Sequence, residues 1–522
     1  MYQVHLDELV PKENFYRKLN KELDLRFLYK ETEKYYGSEG QESVDPVVFF
    51  KICLVGYLNN INSDRKLIEY CGDSLAIRLF LQYDIDEPLS WHSTISRTRQ
   101  LYGEEVFLLL FKKVLSLCIE KGMVKGKRQA IDSAYIKANA SMDSLVEKEV
   151  LDDVENYSEE LNENSEFKIS PKEEEKEKNK HQDKSKPTVT PRKKKEVELH
   201  HAWKEEEYKG QPSNKNSKQV DEHGNLIRPR FLSNHTHFSP TDPDARISVK
   251  PGKARQLNYS GQIAVDDGHH VITAAMADYS DKRDSQSLPE ILKQTITNLK
   301  EEQIEVEQIT ADTGYSSSES LLYIEKKNID AYIPNFGQYK YEREGFTYNK
   351  EKDQYECYRG NKAILPFKSI RKSHDNYEMK VYRSSETICK NCPVRTTCIG
   401  EKTFFKKIEH SINKPLYDKM YQKMQSEYAK RIMKRRSSTV EPVLGTLINF
   451  LNMKRVNTRG IKQANKHVLM AALTYNLKKY LKFVTRKSNQ KAQTIRREML
   501  AQIETAFLRF ITSLLPEAKI SF

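Results

Sequence analysis

The chain has 522 residues, 38% of them hydrophobic, and a formal charge of +13 at pH 7. That length supports a large core and more than one domain, and the clustered basic excess points to a polyanionic partner such as nucleic acid. No apolar run approaches the roughly 20 residues a spanning helix needs, the first seven residues lack a secretory signal core, and seven cysteines, three of them (Cys53, Cys71, Cys118) in apolar helical runs, do not make a secreted disulfide framework. A cytoplasmic protein that does not enter a membrane is expected.

Residues 1–125 read as an all-α domain for DNA binding or oligomerisation. An apolar helical period runs over 46–59, Ser63 is placed to cap a second helix that carries Cys71, and Asp73 to open a third with Leu75, Ile77, Leu79 and Phe80. A further helix is expected from Ser93, displaying Ser96, Arg97, Arg99 and Gln100. Those side chains suit phosphates and base edges, so the helix reads either as a DNA reader of the helix-turn-helix kind or as the solvated face of a packing domain.

The run Ala130-Ile131-Asp132-Ser133-Ala134-Tyr135-Ile136 then sets one carboxylate among apolar and β-branched neighbours. A buried lone carboxylate costs several kcal/mol unless it is paired or bound to a cation, so other groups should converge on Asp132. Residues 146–230 are dominated by Glu, Lys, Asn and Ser and hold too little apolar surface for a core, which makes them a charged, partly disordered insertion. The basic block at 192–195 reads as a DNA contact or as a solvated run.

Beyond the insertion, 258–266 and 270–276 predict a β-hairpin turning at Asp267-Gly268. Helix over 284–299, strand over 304–311, helix over 316–327 and strand over 329–333 follow, an α/β pattern with a mixed sheet. The strand over 304–311 leads to Asp312, before Thr313-Gly314-Tyr315. Between 337 and 406 stand Cys357, Cys389, Cys392 and Cys398, a thiolate set suited to one structural Zn²⁺, the alternative being four reduced cysteines. The helical region after 413 carries Glu441 behind Arg435 and Arg436 and ahead of Lys454 and Arg455, basic groups placed to meet phosphates. The last segment, 481–522, reads as a basic amphipathic helix that packs or oligomerises.

Three acids in three separate settings, Asp132, Asp312 and Glu441, suggest a metal site. Their surroundings stand in a specific order. Val44-Asp45-Pro46 through Cys71 and Ser93-Thr94-Ile95-Ser96-Arg97 come first, then Ile131-Asp132-Ser133 with Lys137-Ala138-Asn139-Ala140. Ala311-Asp312-Thr313-Gly314-Tyr315 and Val440-Glu441-Pro442-Val443-Leu444-Gly445 follow. In that order they resemble a bacterial insertion-sequence transposase of the DDE type, over about residues 45 to 479.

The resemblance implies an RNase H-like catalytic core over 126–480, interrupted by the two insertions, with Asp132, Asp312 and Glu441 as catalytic acids holding two Mg²⁺ or Mn²⁺ ions. It also implies hydrolysis that frees a 3′-OH, followed by joining of that 3′-OH to target DNA. The expected partners are double-stranded DNA, both element ends and target, and a second copy of the chain in a homodimer. Related elements carry a Tyr and an Arg before the Glu and a Lys after it; here Lys434, Ser437 and Ile448 hold those positions, and Arg435, Arg436 and Lys454 are the nearest basic groups. Two other readings share these motifs: an inactive DNA-binding or regulatory protein, and a metal-dependent nuclease without strand transfer.

Overall fold

The computed structural model describes residues 5–37, 43–147, 233–249 without 235, and 254–514 without 338, 374–376 and 401. Most of the charged insertion, including the basic block at 192–195, lies outside the described residues. The strands are β1 (Arg128–Lys137), β2 (Val146–Glu147), β3 (His237–Phe238), β4 (Arg246–Ser248), β5 (Gln256–Asp266), β6 (Ile272–Tyr279), β7 (Gln308–Thr310) and β8 (Asp330–Tyr332). They are followed by β9 (Phe346–Asn349), β10 (Gln354–Cys357), β11 (Ile364–Lys372), β12 (Glu378–Arg383) and β13 (Lys407–Ser411). Compactness divides the chain into one unit of 1–124, 136–259 and 445–522, and another of 125–135 and 260–444. These boundaries differ from those composition suggests, because the chain passes between the units several times.

The first unit is mainly helical. Asp45 caps the Pro46–Leu58 helix by accepting from the Val47 and Val48 amides at 2.7 and 3.0 Å, and Pro46 occupies a first-turn position where no amide is needed. That helix is apolar on every side, and Phe49, Phe50, Ile52, Leu54 and Val55 are all buried. Ser63 caps Asp64–Asp73, as the sequence indicates. The next helix, Leu75–Leu81, is capped by Ser74 and not by Asp73. His92–Leu101 starts one residue ahead of Ser93, with Trp91 at its cap and no side-chain cap bond. The Glu104–Glu120 helix packs against the last helix, Ile461–Leu514, which runs without a break through residue 481. Asp242 and Asp244 accept from the Gly460 and Ile461 amides at 3.0 and 2.9 Å, anchoring the start of that helix with negative charge.

The second unit holds the mixed sheet. Its strands stand side by side in the order β5, β1, β7, β8, with β6 paired to the other side of β5. β1 to β7 and β7 to β8 are parallel pairs, and the Asp266 amide bonds the Val271 carbonyl at 2.8 Å where the β5–β6 hairpin turns. Helices Asp284–Lys300 and Ser318–Lys326 bury Leu288, Ile291, Leu292, Leu321 and Ile324 with Ile131, Ala264, Ala274 and Ile309 of the strands. β7 and β8 are only three residues long each, shorter than their apolar runs. A second sheet, in the order β13-β12-β11-β10-β9, has its own core of Phe346, Tyr355, Leu365, Tyr382 and Ile408. It occupies the cysteine-containing segment. The helix Glu427–Phe450 carries Glu441.

Candidate active site

The parallel register of β1 and β7 ends at Ala130 opposite Thr310. Asp132 and Asp312 each stand two residues beyond that pair, so the register carries both acids to one level, Asp132 in the middle of β1 and Asp312 just past the end of β7. Each carboxylate is oriented by backbone amides: Ser133 N–H donates to Asp132 Oδ1 at 2.8 Å, and Gly314 N–H donates to Asp312 Oδ1 at 2.9 Å.

Gly314 explains how a third acid approaches. A Cβ at that position would lie 3.1 Å from Asp312 Oδ1 and 3.1 Å from Asp284 Oδ2, so a larger residue would crowd both carboxylates. Asp284 opens the Asp284–Lys300 helix, and its Oδ1 accepts from Gln262 Nε2 at 2.9 Å. Gln262 in turn accepts from the buried Tyr315 hydroxyl. Sequence reasoning missed Asp284, because an acid in the first turn of a helix ordinarily reads as a complement to the helix dipole.

Arg436 supplies the opposite charge. Its Nη2 lies 2.8 Å from Asp132 Oδ2 and 4.0 Å from Asp312 Oδ2, and only 7% of its side chain is exposed. Its Nε is buried and has no hydrogen-bond partner among the described residues. Burial pushes the Asp132 carboxyl up to about 6; Arg436 opposes that shift, and the charges of Asp312 and Asp284 add to it. Asp312 is raised as well, first by burial and then by Asp284, again against Arg436. The Asp132 side chain is 14% exposed and that of Asp312 45%, so the site is shielded at Asp132 and open to solvent at Asp312; three acids there, offset by one guanidinium, leave an unmet demand for positive charge.

Glu441 follows Arg436 by five residues on the same helix, about 140° further round at the α-helical spacing, and is exposed. Among the described residues, no three His, Cys, Asp or Glu side chains are arranged to hold a metal ion. Arg436 ties Asp132 to Asp312, and Glu441 forms no such group with them among the described residues. The chemistry of the pair still suits a hard cation, since carboxylate oxygens are its preferred donors and a cationic group already sits between them.

The four late cysteines line one cavity of about 270 Å³ together with Arg359, Arg395 and Lys406. All are free and half-buried. Cys357 Sγ lies 2.9 Å from the Arg359 carbonyl and Cys389 Sγ 3.0 Å from Ser384 Oγ. They share a space without closing into a ligand shell.

The basic residues divide by environment. Arg97 is exposed, whereas Arg99 is shielded and paired with Asp64. Arg435 is exposed, and its Nε lies 3.1 Å from Asp267 Oδ2. In the first unit Lys454 and Arg455 are exposed, with Arg455 donating to Asn139 Oδ1 at 3.2 Å. Among the described residues no helix is long and apolar enough to cross a membrane.

Two family models match the chain. Residues 4–101 match a transposase domain (DUF772), and residues 356–481 match a transposase DDE domain. The second match contains Glu441 and all four late cysteines; Asp132 and Asp312 precede it. No curated protein matches the chain. The two matches fall in the order the motifs have, with the paired aspartates between them, and both support an insertion-sequence transposase of the DDE type.

Proposed function

We propose that this transposase binds the terminal repeats of its element, cleaves DNA by metal-assisted phosphodiester hydrolysis and joins the freed 3′-OH to target DNA. The observation that carries the reading is the convergence of Asp132 and Asp312, 180 residues apart, from adjacent parallel strands onto one guanidinium. A mixed sheet with helices against it and acids from adjacent strands supports an RNase H-like core.

Asp132 and Asp312 are the residues that would hold Mg²⁺ or Mn²⁺, and Glu441 would complete the set by reaching the pair once DNA and metal are bound. Two bound ions lower the pKa of an attacking oxygen and offset charge on the phosphate and on the leaving oxygen. The chain's own groups do the rest. The Ser133 and Gly314 amides orient the two carboxylates, and Gln262 fixes Asp284 beside them. Arg435, Lys454 and Arg455 hold DNA through its phosphates, a contact without sequence content, and Arg97 on the His92–Leu101 helix reads the terminal repeat. One Zn²⁺ on Cys357, Cys389, Cys392 and Cys398 would brace the second sheet. A homodimer is supported by Met499, Leu500 and Ile503, which are exposed on the last helix.

The test is an assay of purified full-length protein on DNA carrying the element's ends, with Mg²⁺ or Mn²⁺. Cleaved ends and joined products are expected from the wild type, and neither from Asp132→Asn or Asp312→Asn. Cleavage without joining would reduce the protein to a nuclease. No cleavage at all, with binding retained, would leave a regulatory DNA-binding protein.

A further inference from the structure

We propose that Arg436 is the resident counter-ion of the Asp132–Asp312 pair and must leave it for a divalent cation to enter, so that guanidinium and metal exchange at one place. This rests on the reading of Asp132 and Asp312 as metal ligands.

Position is the first argument. A single atom, Arg436 Nη2, is 2.8 Å from Asp132 Oδ2 and 4.0 Å from Asp312 Oδ2. A cation shared by those two carboxylates would be drawn to the same space. A divalent ion contacts carboxylate oxygens directly, at about 2.1 Å for Mg²⁺, and would take the place that Arg436 Nη2 holds between the two carboxylates. The two positive charges also repel beside the shielded Asp132 carboxylate.

The donor left over on Arg436 points the same way. In a settled structural ion pair the remaining guanidinium donors are satisfied, because an orphaned buried donor costs about 1–3 kcal/mol. Arg436 Nε is buried and unpartnered, so the pose seen here leaves part of the guanidinium unsatisfied. Away from Asp132, the planar fork can place two donors on one phosphate, a geometry Lys cannot supply. Arg436 has the means to move without unfolding its helix: Thr439, Val440, Val443 and Leu447 bury that helix independently of the arginine, and the long side chain can swing while the backbone stays. Metal-free, Arg436 keeps the acids from repelling one another; with metal and DNA present, its charge is transferred to the phosphate.

The exchange is tested by calorimetric titration of Mn²⁺ into the full-length chain without DNA. Removing the competing charge in Arg436→Met should tighten Mn²⁺ binding at least about tenfold, the lower end of what one adjacent charge imposes on a carboxylate. The same variant should show a larger Mn²⁺-induced rise in Tm than wild type. Arg436→Lys retains charge but lacks the reach to meet both acids, and should bind with intermediate affinity; it carries the test if the Met variant does not fold. Unchanged or weaker Mn²⁺ binding in the folded variants overturns the exchange. Asp132→Asn separates failure of the exchange from failure of the metal site. If it loses Mn²⁺ while the Arg436 variants bind as wild type, only the exchange fails. If it binds Mn²⁺ like wild type, Asp132 is not a ligand and the reading beneath the proposal fails with it.

Discussion

Arg99 grips Asp64 with two parallel hydrogen bonds, Nη1 to Oδ2 at 2.8 Å and Nη2 to Oδ1 at 2.7 Å, inside the helical unit. Only 12% and 16% of the two side chains are exposed, and the Arg99 carbonyl accepts from Lys466 Nζ at 3.0 Å. A fork paired and shielded in this way is not presented to a base edge. Two residues earlier, Arg97 faces solvent.

The two arginines should therefore behave differently. Arg99→Ala strands a shielded carboxylate and should lower stability by about 3–5 kcal/mol, the range for breaking a buried pair from one side. Arg97→Ala should change stability by no more than about 0.5 kcal/mol while reducing the preference for terminal-repeat over random DNA. Chemical denaturation and binding titrations at several salt concentrations read the two effects. Equal stability losses would remove the distinction.

For the acids, Asp132→Asn and Asp312→Asn should each lower cleavage by more than about a hundredfold, since loss of an outer-shell partner alone costs 10–100-fold. Asp284→Asn keeps a partner for Gln262 and should fall within that smaller range. Glu441→Gln is the most informative, because Glu441 is exposed and apart from the pair in the metal-free chain. Full cleavage by this variant would remove Glu441 from the site.

If the four cysteines hold metal, purified protein should contain about one Zn²⁺ per chain. Cys389→Ser or Cys392→Ser should lose it and lower the Tm. Elemental analysis without stoichiometric zinc would leave the cavity lined by ordinary thiols.

A pH effect should come from His410. Tyr382 gives its hydroxyl proton to Asp353 at 2.6 Å, so its oxygen is left to accept from His410 Nε2–H at 3.1 Å; the Tyr355 hydroxyl then donates to Nδ1 at 2.8 Å. Burial, followed by the charges of Lys414 and Lys380, pushes this imidazole down to about 4. The unfolded chain takes up the proton first, near pH 6.5. The contribution of His410 to stability is therefore complete above about 6.5 and is lost as pH falls towards 4, by up to about 3 kcal/mol. Denaturation midpoints between pH 4 and 7 should show this loss, and His410→Gln should flatten it.

Local chemistry written in short stretches was legible without the fold. The cap at Asp45 with Pro46 behind it, the cap at Ser63 and the hairpin turning after Asp266 each depend on a few adjacent residues, and each forms. The apolar run around Asp132 announced a carboxylate in need of a partner, and the order of the motifs announced the family. What the partner would be was not legible. That Arg436 answers Asp132, that Arg99 is consumed by Asp64 and that Asp284 stands beside Asp312 are relationships between residues 304, 35 and 28 positions apart. Nothing in the local pattern separates Arg97 from Arg99 or Arg435 from Arg436; two basic residues in one helix differ only in which side faces the core. The tertiary structure decides that, because whether a charge is free for a ligand depends on which opposite charge the packing brings within about 3 Å of it.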